Sequence, residues 1–205
     1  MKTQTKITQE NLGPKDAHSI LVEGNKRFTQ NLKAQRNLQD QVFETSKGQY
    51  PFAVILSCID SRVPAELVFD QGIGDIFSVR VAGNVINEDI LGSMEYACKV
   101  AGSKIVVVMG HTKCGAVTSA CQHVELGNIT PLLNKIKPAV TLVEAKNGEM
   151  NAEAIEEVSV ENVKISIDRI REESSILAEM ENNGEIEIVG AMYDVSSGEV
   201  EFFEE

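Results

Sequence analysis

The sequence predicts an α/β fold: a mainly parallel central β-sheet flanked by helices, with an N-terminal helical arm. Three observations lead there. Residues 52–57 and 105–109 are short, unbroken apolar runs, the pattern of strands buried on both faces. The segments between and after them carry apolar residues at helical spacing. Strand and helix alternate along the chain, which favours crossover helices over a parallel sheet.

Taken in order, residues 1–14 are polar and close with Gly13-Pro14, which reads as a tail. Asp16 is placed to cap a helix over about residues 17–35, where Ile20, Leu21, Phe28 and Leu32 fall near one face. That stripe suits either a second copy of the chain or folding back on its own core. A loop at 47–51 leads into the strand 52–57. Pro64 opens a short helix over 64–70, and Gly72 and Gly74 mark a turn. Residues 76–80 read as a strand ended by Ala82-Gly83-Asn84. Residues 88–101 are helical, with Ile90, Leu91, Met94, Ala97 and Cys98 on one side and Gly102 as the stop. After the strand 105–109, residues 110–115 read as a sharp turn, 116–125 as a helix, and Pro131 as the start of another. Residues 151–182 have one helical period. Ile155, Val158, Val163, Ile167, Ile170 and Leu177 lie on its apolar side, and its charge reads as a solvated face. A strand over 185–193, a turn at Ser196-Ser197-Gly198 and a short strand over 199–203 finish the chain. One domain over 1–205 is expected, with 1–35 as arm and helix and 36–205 as an α/β metal-binding core.

Composition narrows the function. The 205 residues are 42% hydrophobic and 24% charged, enough for a full core, and the net charge is −12. An acidic chain repels phosphate backbones and anionic lipid, which argues against nucleic-acid and membrane partners. No apolar run approaches the roughly 20 residues that span a bilayer. The first residues lead into no apolar signal segment, so a cytoplasmic location is expected. There the four cysteines, Cys58, Cys98, Cys114 and Cys121, are expected as free thiols or metal ligands.

The chemistry concentrates at two strand ends. The run 52–57 delivers Cys58, and the run 105–109 delivers His111 and Cys114. Sites in open parallel sheets form beyond the carboxyl ends of strands, so these residues meet if the strands are neighbours. Two thiolates and an imidazole suit zinc, and three protein ligands leave the fourth position that catalytic zinc needs. A strand-end cysteine reads equally as a small buried hydrophobe. Asp60 and Arg62 follow Cys58 at alternate positions, so an extended backbone puts all three on one side. The carboxylate can accept a hydrogen bond from water on the metal, or bind the metal, and Arg62 can grip it as a fork. The simpler reading is a surface ion pair. Cys98 and Cys121 read as core thiols.

Cys58-Ile59-Asp60-Ser61-Arg62 followed by His111-Thr112-Lys113-Cys114-Gly115 resembles the β-class carbonic anhydrase family. Gly24-Asn25-x-Arg27-Phe28, Val79-Arg80-x-Ala82-Gly83-Asn84 and Ile188-Val189-Gly190-Ala191-x-Tyr193-Asp194 extend the similarity over most of the chain. The resemblance implies one zinc ion per chain on Cys58, His111 and Cys114, with Asp60 and Arg62 as a catalytic dyad. It implies a substrate pocket that includes Gln49, Phe77, Tyr96 and Gly115. Ala82 stands at a wall position that is larger in the plant enzymes. Ile55 stands where another branch of the family carries a tryptophan belonging to an inhibitory bicarbonate site, and the chain has no tryptophan. A plant-like site is therefore implied, with Asp60 paired to Arg62. The family also implies a homodimer or homotetramer in which Gln49 and Tyr96 serve the adjoining site.

The implied reaction is the reversible hydration of carbon dioxide to bicarbonate and a proton. Zinc lowers the pKa of bound water from about 15.7 towards neutrality, and the hydroxide, aimed by Asp60, attacks carbon dioxide. Two thiolates cancel the metal's formal charge, so activity is expected to rise above neutral pH; a profile already flat at pH 6 would exclude this. No proton shuttle is legible, and His123 and His18 read as ordinary histidines. The rival readings are a hydrolase of carbon disulfide or a related heterocumulene, a non-catalytic zinc-stabilised binding protein, and a nucleotide-binding domain. The last lacks both glycine-rich phosphate signatures.

Overall fold

A computed structural model describes residues 3–204; Met1 and Lys2 of the polar tail, and Glu205, lie outside the described residues. Five strands form one sheet in the order β2-β1-β3-β4-β5. They are β1 (Ala53–Ser57), β2 (Ile76–Arg80), β3 (Ile105–His111), β4 (Glu187–Tyr193) and β5 (Val200–Phe202). The first four run parallel, and β5 is antiparallel to β4. The two unbroken apolar runs are central neighbours, as a strand buried on both faces must be.

Alternate residues of the strands divide between the two faces. Val54, Leu56, Val106, Val108 and Ile188 pack beneath α5 (Glu88–Glu95), α9 (Ala152–Glu173) and α10 (Ser175–Asn182), with Met94, Val163, Ile170 and Leu177 as the facing layer. Ala53, Ile55, Ile105, Val107, Met109 and Val189 pack on the other face, with Leu21, Phe52, Val68 and Phe69. Side chains such as Ile55 are wholly buried, each worth roughly 1.5–3 kcal/mol of transfer free energy.

The N-terminal stripe folds back onto its own chain. A short helix, α1 (Lys6–Glu10), precedes α2 (Pro14–Thr29), which starts and stops earlier than the expected 17–35. Asp16 is not the cap but sits inside the first turn, where its carboxylate accepts the Gly13 N–H at 2.9 Å. Asn31, at φ +55°, turns the chain away, and Leu32 is left exposed. Ala17 and Leu21 are buried against the sheet. Asn25, also buried, donates to the carbonyls of Val68 and Gly198 and accepts the Val200 N–H. A helix not foreseen, α3 (Leu38–Thr45), follows, capped by the Asn37 side chain.

Several boundaries move for local reasons. Pro64 caps only α4 (Ala65–Val68). The helix expected over 88–101 is α5 continued by a π-helical turn, Tyr96–Val100. Gly110 and His111 belong to β3, paired with Met192 and Tyr193, so the sharp turn starts later than expected. The next helix is α6 (Gly115–Cys121), shorter than 116–125. Pro131 lies inside α7 (Ile129–Leu133) rather than at its start, and α8 (Lys137–Asn147) follows. The long helix breaks at Ser174, whose hydroxyl accepts the Leu177 N–H and donates to Glu95, so it caps α10. No helix among the described residues is long and apolar enough to cross a membrane.

Candidate metal centre

β1 and β3 are in register with Ser57 opposite Met109, so Cys58 and His111 emerge at nearly the same level. Cys114 caps the start of α6. One ligand atom from each of Cys58, His111 and Cys114 lies within 4.8 Å of the others, and all three residues are buried. They sit above the sheet's carboxyl edge in an apolar cap formed with Val85, Ile136 and Val158.

The protonation pattern fits a cation. His111 Nδ1 lies 2.9 Å from the Thr112 carbonyl, which can only accept, so Nδ1 carries the proton. That leaves Nε2 as the lone-pair nitrogen, and it is buried with no hydrogen-bond partner. The Cys114 thiol, helped by the Gly83 N–H, holds Cys58 as a thiolate well below the ordinary thiol value. Cys114 is driven up by the same pairing and by burial. The Cys58 thiolate, the Cys114 thiol beside it and an orphaned imidazole nitrogen make a soft donor set suited to zinc, whose binding would also deprotonate Cys114.

Beyond β1 the chain turns instead of running extended, because the Asp60 carbonyl accepts the Val63 N–H. The turn still brings the dyad together. Asp60 Oδ1 accepts the Arg62 backbone N–H and Nε, both at 2.9 Å, and Oδ2 accepts Nη2 at 2.8 Å. This fork holds Asp60 well below the usual carboxylate range despite partial burial. Asp60 is thus committed to Arg62, and the group that could hold a metal does not include it. Arg80, on the neighbouring strand, fixes the turn by donating to the carbonyls of Cys58 and Asp60 at 3.0 and 2.6 Å.

The remaining sequence candidates are spread out. Ala82 begins a 3-10 turn, Ala82–Asn84, close by, and Gly115 opens α6 directly after Cys114. Phe77 packs edge-on to Tyr96 at 6.3 Å between ring centres. Tyr96 and Gln49 line a groove with Lys6, Gln9, Tyr50 and Val100, and the lining includes none of the three metal-ligand candidates. Cys98 lies in the core under β1, where burial raises it to about 12, and Cys121 is a buried thiol raised to about 11. His123 is off the helix, at φ +53°, and its side chain is exposed beside Glu144. His18 stacks on Phe202.

Other contributors were not foreseen. Gly83 donates its N–H to Cys58 Sγ at 3.4 Å, and the buried Asn162 of α9 donates to the Gly83 carbonyl at 2.8 Å. Ser166 reaches the Asn84 carbonyl in the same way. Ser159, Asn162 and Ser166 form a buried polar stripe at helical spacing, which is the signal that could have marked this face.

The chain is similar to known carbonic anhydrases. A family model described as carbonic anhydrase matches residues 53–200. Carbonic anhydrase 2 of Mycobacterium tuberculosis is 38% identical over 195 residues, 92% of each chain. The carbonic anhydrase of Mycolicibacterium smegmatis is 33% identical, covering 93% of this chain and 94% of its own. Among solved structures, the β-carbonic anhydrase CafA of Aspergillus fumigatus superposes with a TM-score of 0.74 at 27% identity, covering 92% of this chain and 91% of that one. The β-carbonic anhydrase CcaA gives 0.74 at 25% identity, covering 91% and 95%.

Proposed function

The chain belongs to the β-carbonic anhydrase family, and from that premise we propose that Cys58, His111 and Cys114 hold one zinc ion at which carbon dioxide is reversibly hydrated to bicarbonate and a proton. The observation that supports this best is the convergence of two sulfurs and an unpartnered imidazole nitrogen beside a carboxylate already clamped by arginine. When bound, zinc brings the pKa of water towards neutrality.

The chain's own groups do the rest. Asp60 is kept ionised by Arg62, so its oxygens remain acceptors that can take a hydrogen bond from the attacking water and orient its lone pair. Arg62 positions Asp60 through two side-chain bonds and one backbone bond. Ala82, half-buried in the turn after β2, supplies part of the wall for an uncharged substrate, and Gly115 offers a backbone N–H at the start of α6. The Asp60–Arg62 pairing and Ile55 also support the plant-like, open arrangement.

A homodimer or homotetramer is part of the proposal. It is supported by the groove holding Gln49 and Tyr96, by the unpaired edge of β2, and by exposed Phe43, Tyr96 and Val100. A second copy seated there would bring Gln49 and Tyr96 to its own site, and light scattering tests it. A cytoplasmic location is proposed on the four free cysteines.

Stopped-flow hydration with a zinc count per chain tests the function. One zinc and hydration are expected, and both should be lost in Cys58→Ser and His111→Ala. Hydration by metal-free protein would overturn the reading.

A further inference from the structure

Lys113 stands between the ligands His111 and Cys114 with φ +56°, in the left-handed region that disfavours residues bearing a side chain. Its neighbour Thr112 is held by β4 and the loop after it, through its N–H to the Tyr193 carbonyl and its hydroxyl to the Val195 N–H. The Lys113 peptide is held from elsewhere. Its N–H donates to Glu156 Oε1 at 2.8 Å, and its carbonyl accepts Arg62 Nη2 at 3.3 Å. Its side-chain amine reaches Ser196 Oγ at 3.2 Å.

Glu156 stands on α9, whose neighbouring residues Val158 and Val163 are fully buried, so the helix is a firm platform. Its second oxygen, Oε2, is buried without a partner. A carboxylate enclosed on one side with a single hydrogen bond is costly unless that bond is useful. The bond here joins the loop between two ligands to the helix that also grips Gly83.

We propose that Glu156 is a positioning residue of the metal centre: by accepting the Lys113 N–H it holds the peptide between His111 and Cys114 in the left-handed conformation that presents the Lys113 carbonyl to Arg62. One hydrogen bond thereby steadies both the ligand loop and the dyad. The proposal rests on the zinc hydratase reading above and adds the residue that keeps its loop in shape.

The test uses full-length, zinc-loaded protein and two measurements, zinc affinity by competition with a chromophoric chelator and carbon dioxide hydration by stopped flow. Glu156→Ala lowers zinc affinity and kcat/KM by roughly tenfold. Glu156→Gln keeps an acceptor oxygen and stays within about twofold of wild type. Glu157→Ala removes the same charge one residue along, where it accepts from Lys146 and Asn147, and also stays within about twofold. In a Lys113→Gly background, where φ +56° carries no steric penalty, the loss caused by Glu156→Ala shrinks to about twofold. The proposal is overturned by a wild-type Glu156→Ala, by Glu156→Gln or Glu157→Ala losing as much as Glu156→Ala, or by an undiminished loss in the glycine background. A wild-type chain that binds no zinc or does not hydrate carbon dioxide overturns the functional reading instead.

Discussion

Gly83 donates its backbone N–H to the sulfur of Cys58 at 3.4 Å, and it does so from a left-handed turn, φ +67°, that sits between β2 and α5. The candidate metal centre is therefore supported by a third segment of chain, besides the two strand ends that supply the candidate ligands. Asn162 anchors that segment from α9, so the buried polar stripe of the helix ends at the turn that meets the Cys58 sulfur.

Gly83→Ala tests this support. A Cβ at position 83 would lie 2.6 Å from Ile136 Cδ1, so the tip of that fully buried side chain would have to shift. The left-handed backbone adds about 1–2 kcal/mol for alanine. For a chain of this size each kcal/mol lowers Tm by roughly 2–4 °C, so a fall of several degrees is expected in thermal unfolding. Zinc affinity should fall as well, because the donor to Cys58 shifts. Unchanged Tm and unchanged affinity would show that the turn does not support the site.

Asp60→Asn separates metal binding from turnover. Asp60 accepts three hydrogen bonds from Arg62 and is absent from the ligand group, so zinc content should stay at the wild-type level. Asparagine cannot offer two acceptor oxygens to Arg62 and keep one for water. The hydration rate should drop on the order of 10²-fold or more. Full activity in this variant would remove Asp60 from the mechanism.

The central strands were legible because β1 and β3 are buried on both faces and announce themselves as unbroken apolar runs, and the meeting of three candidate ligands at their ends was legible with them. Cys58, His111 and Cys114 followed from where such strands end. What escaped was set by contacts distant in sequence. The turn after Cys58 depends on Arg80, two strands' worth of chain away in sequence but adjacent in the sheet. The break at Ser174 looks like continuous helix until its hydroxyl is seen capping α10. Glu156 was indistinguishable from the acidic residues around it, since only its partner, a strained backbone N–H, sets it apart. Gln49 and Tyr96 came from family resemblance and lie in a groove of their own.

Gly24→Ala should destabilise the protein although alanine is the better helix former by about 1 kcal/mol. A Cβ at position 24 would come 1.9 Å from the Phe69 carbonyl oxygen and 2.8 Å from its carbon, and backbone there cannot yield as a flexible side chain would. Helix α2 would have to lift off, exposing Leu21, whose burial alone is worth roughly 1.5–3 kcal/mol. Urea unfolding should show a net loss. A higher midpoint in the variant would mean that α2 does not lie this close to α4.

Asp70→Asn should cost stability at neutral pH and progressively less in acid. Asp70 Oδ2 accepts Arg27 Nε at 2.6 Å and the Ala34 N–H at 3.1 Å, and Oδ1 accepts Arg36 Nη1 at 2.6 Å. Its side chain is only 4% exposed, and Arg36 is 7% exposed. Burial alone would raise this carboxyl, but the bonds from Arg27 and Arg36 outweigh it and hold it below its ordinary value of 3.8. A depressed folded-state pKa contributes stability that is complete above the unfolded value and is lost as pH falls through the folded one. At pH 7 the variant takes the counter-charge from the buried Arg36 guanidinium and from the partly exposed Arg27, and loss of the buried pair costs roughly 3–5 kcal/mol. Below the ordinary value of 3.8 the unfolded chain's carboxyl protonates first and the folded one later, so the difference between the two proteins should narrow. Urea titrations from pH 7 down to the acid limit of folding measure it, and a gap that stays constant would show that the charge on Asp70 does not hold these helices together.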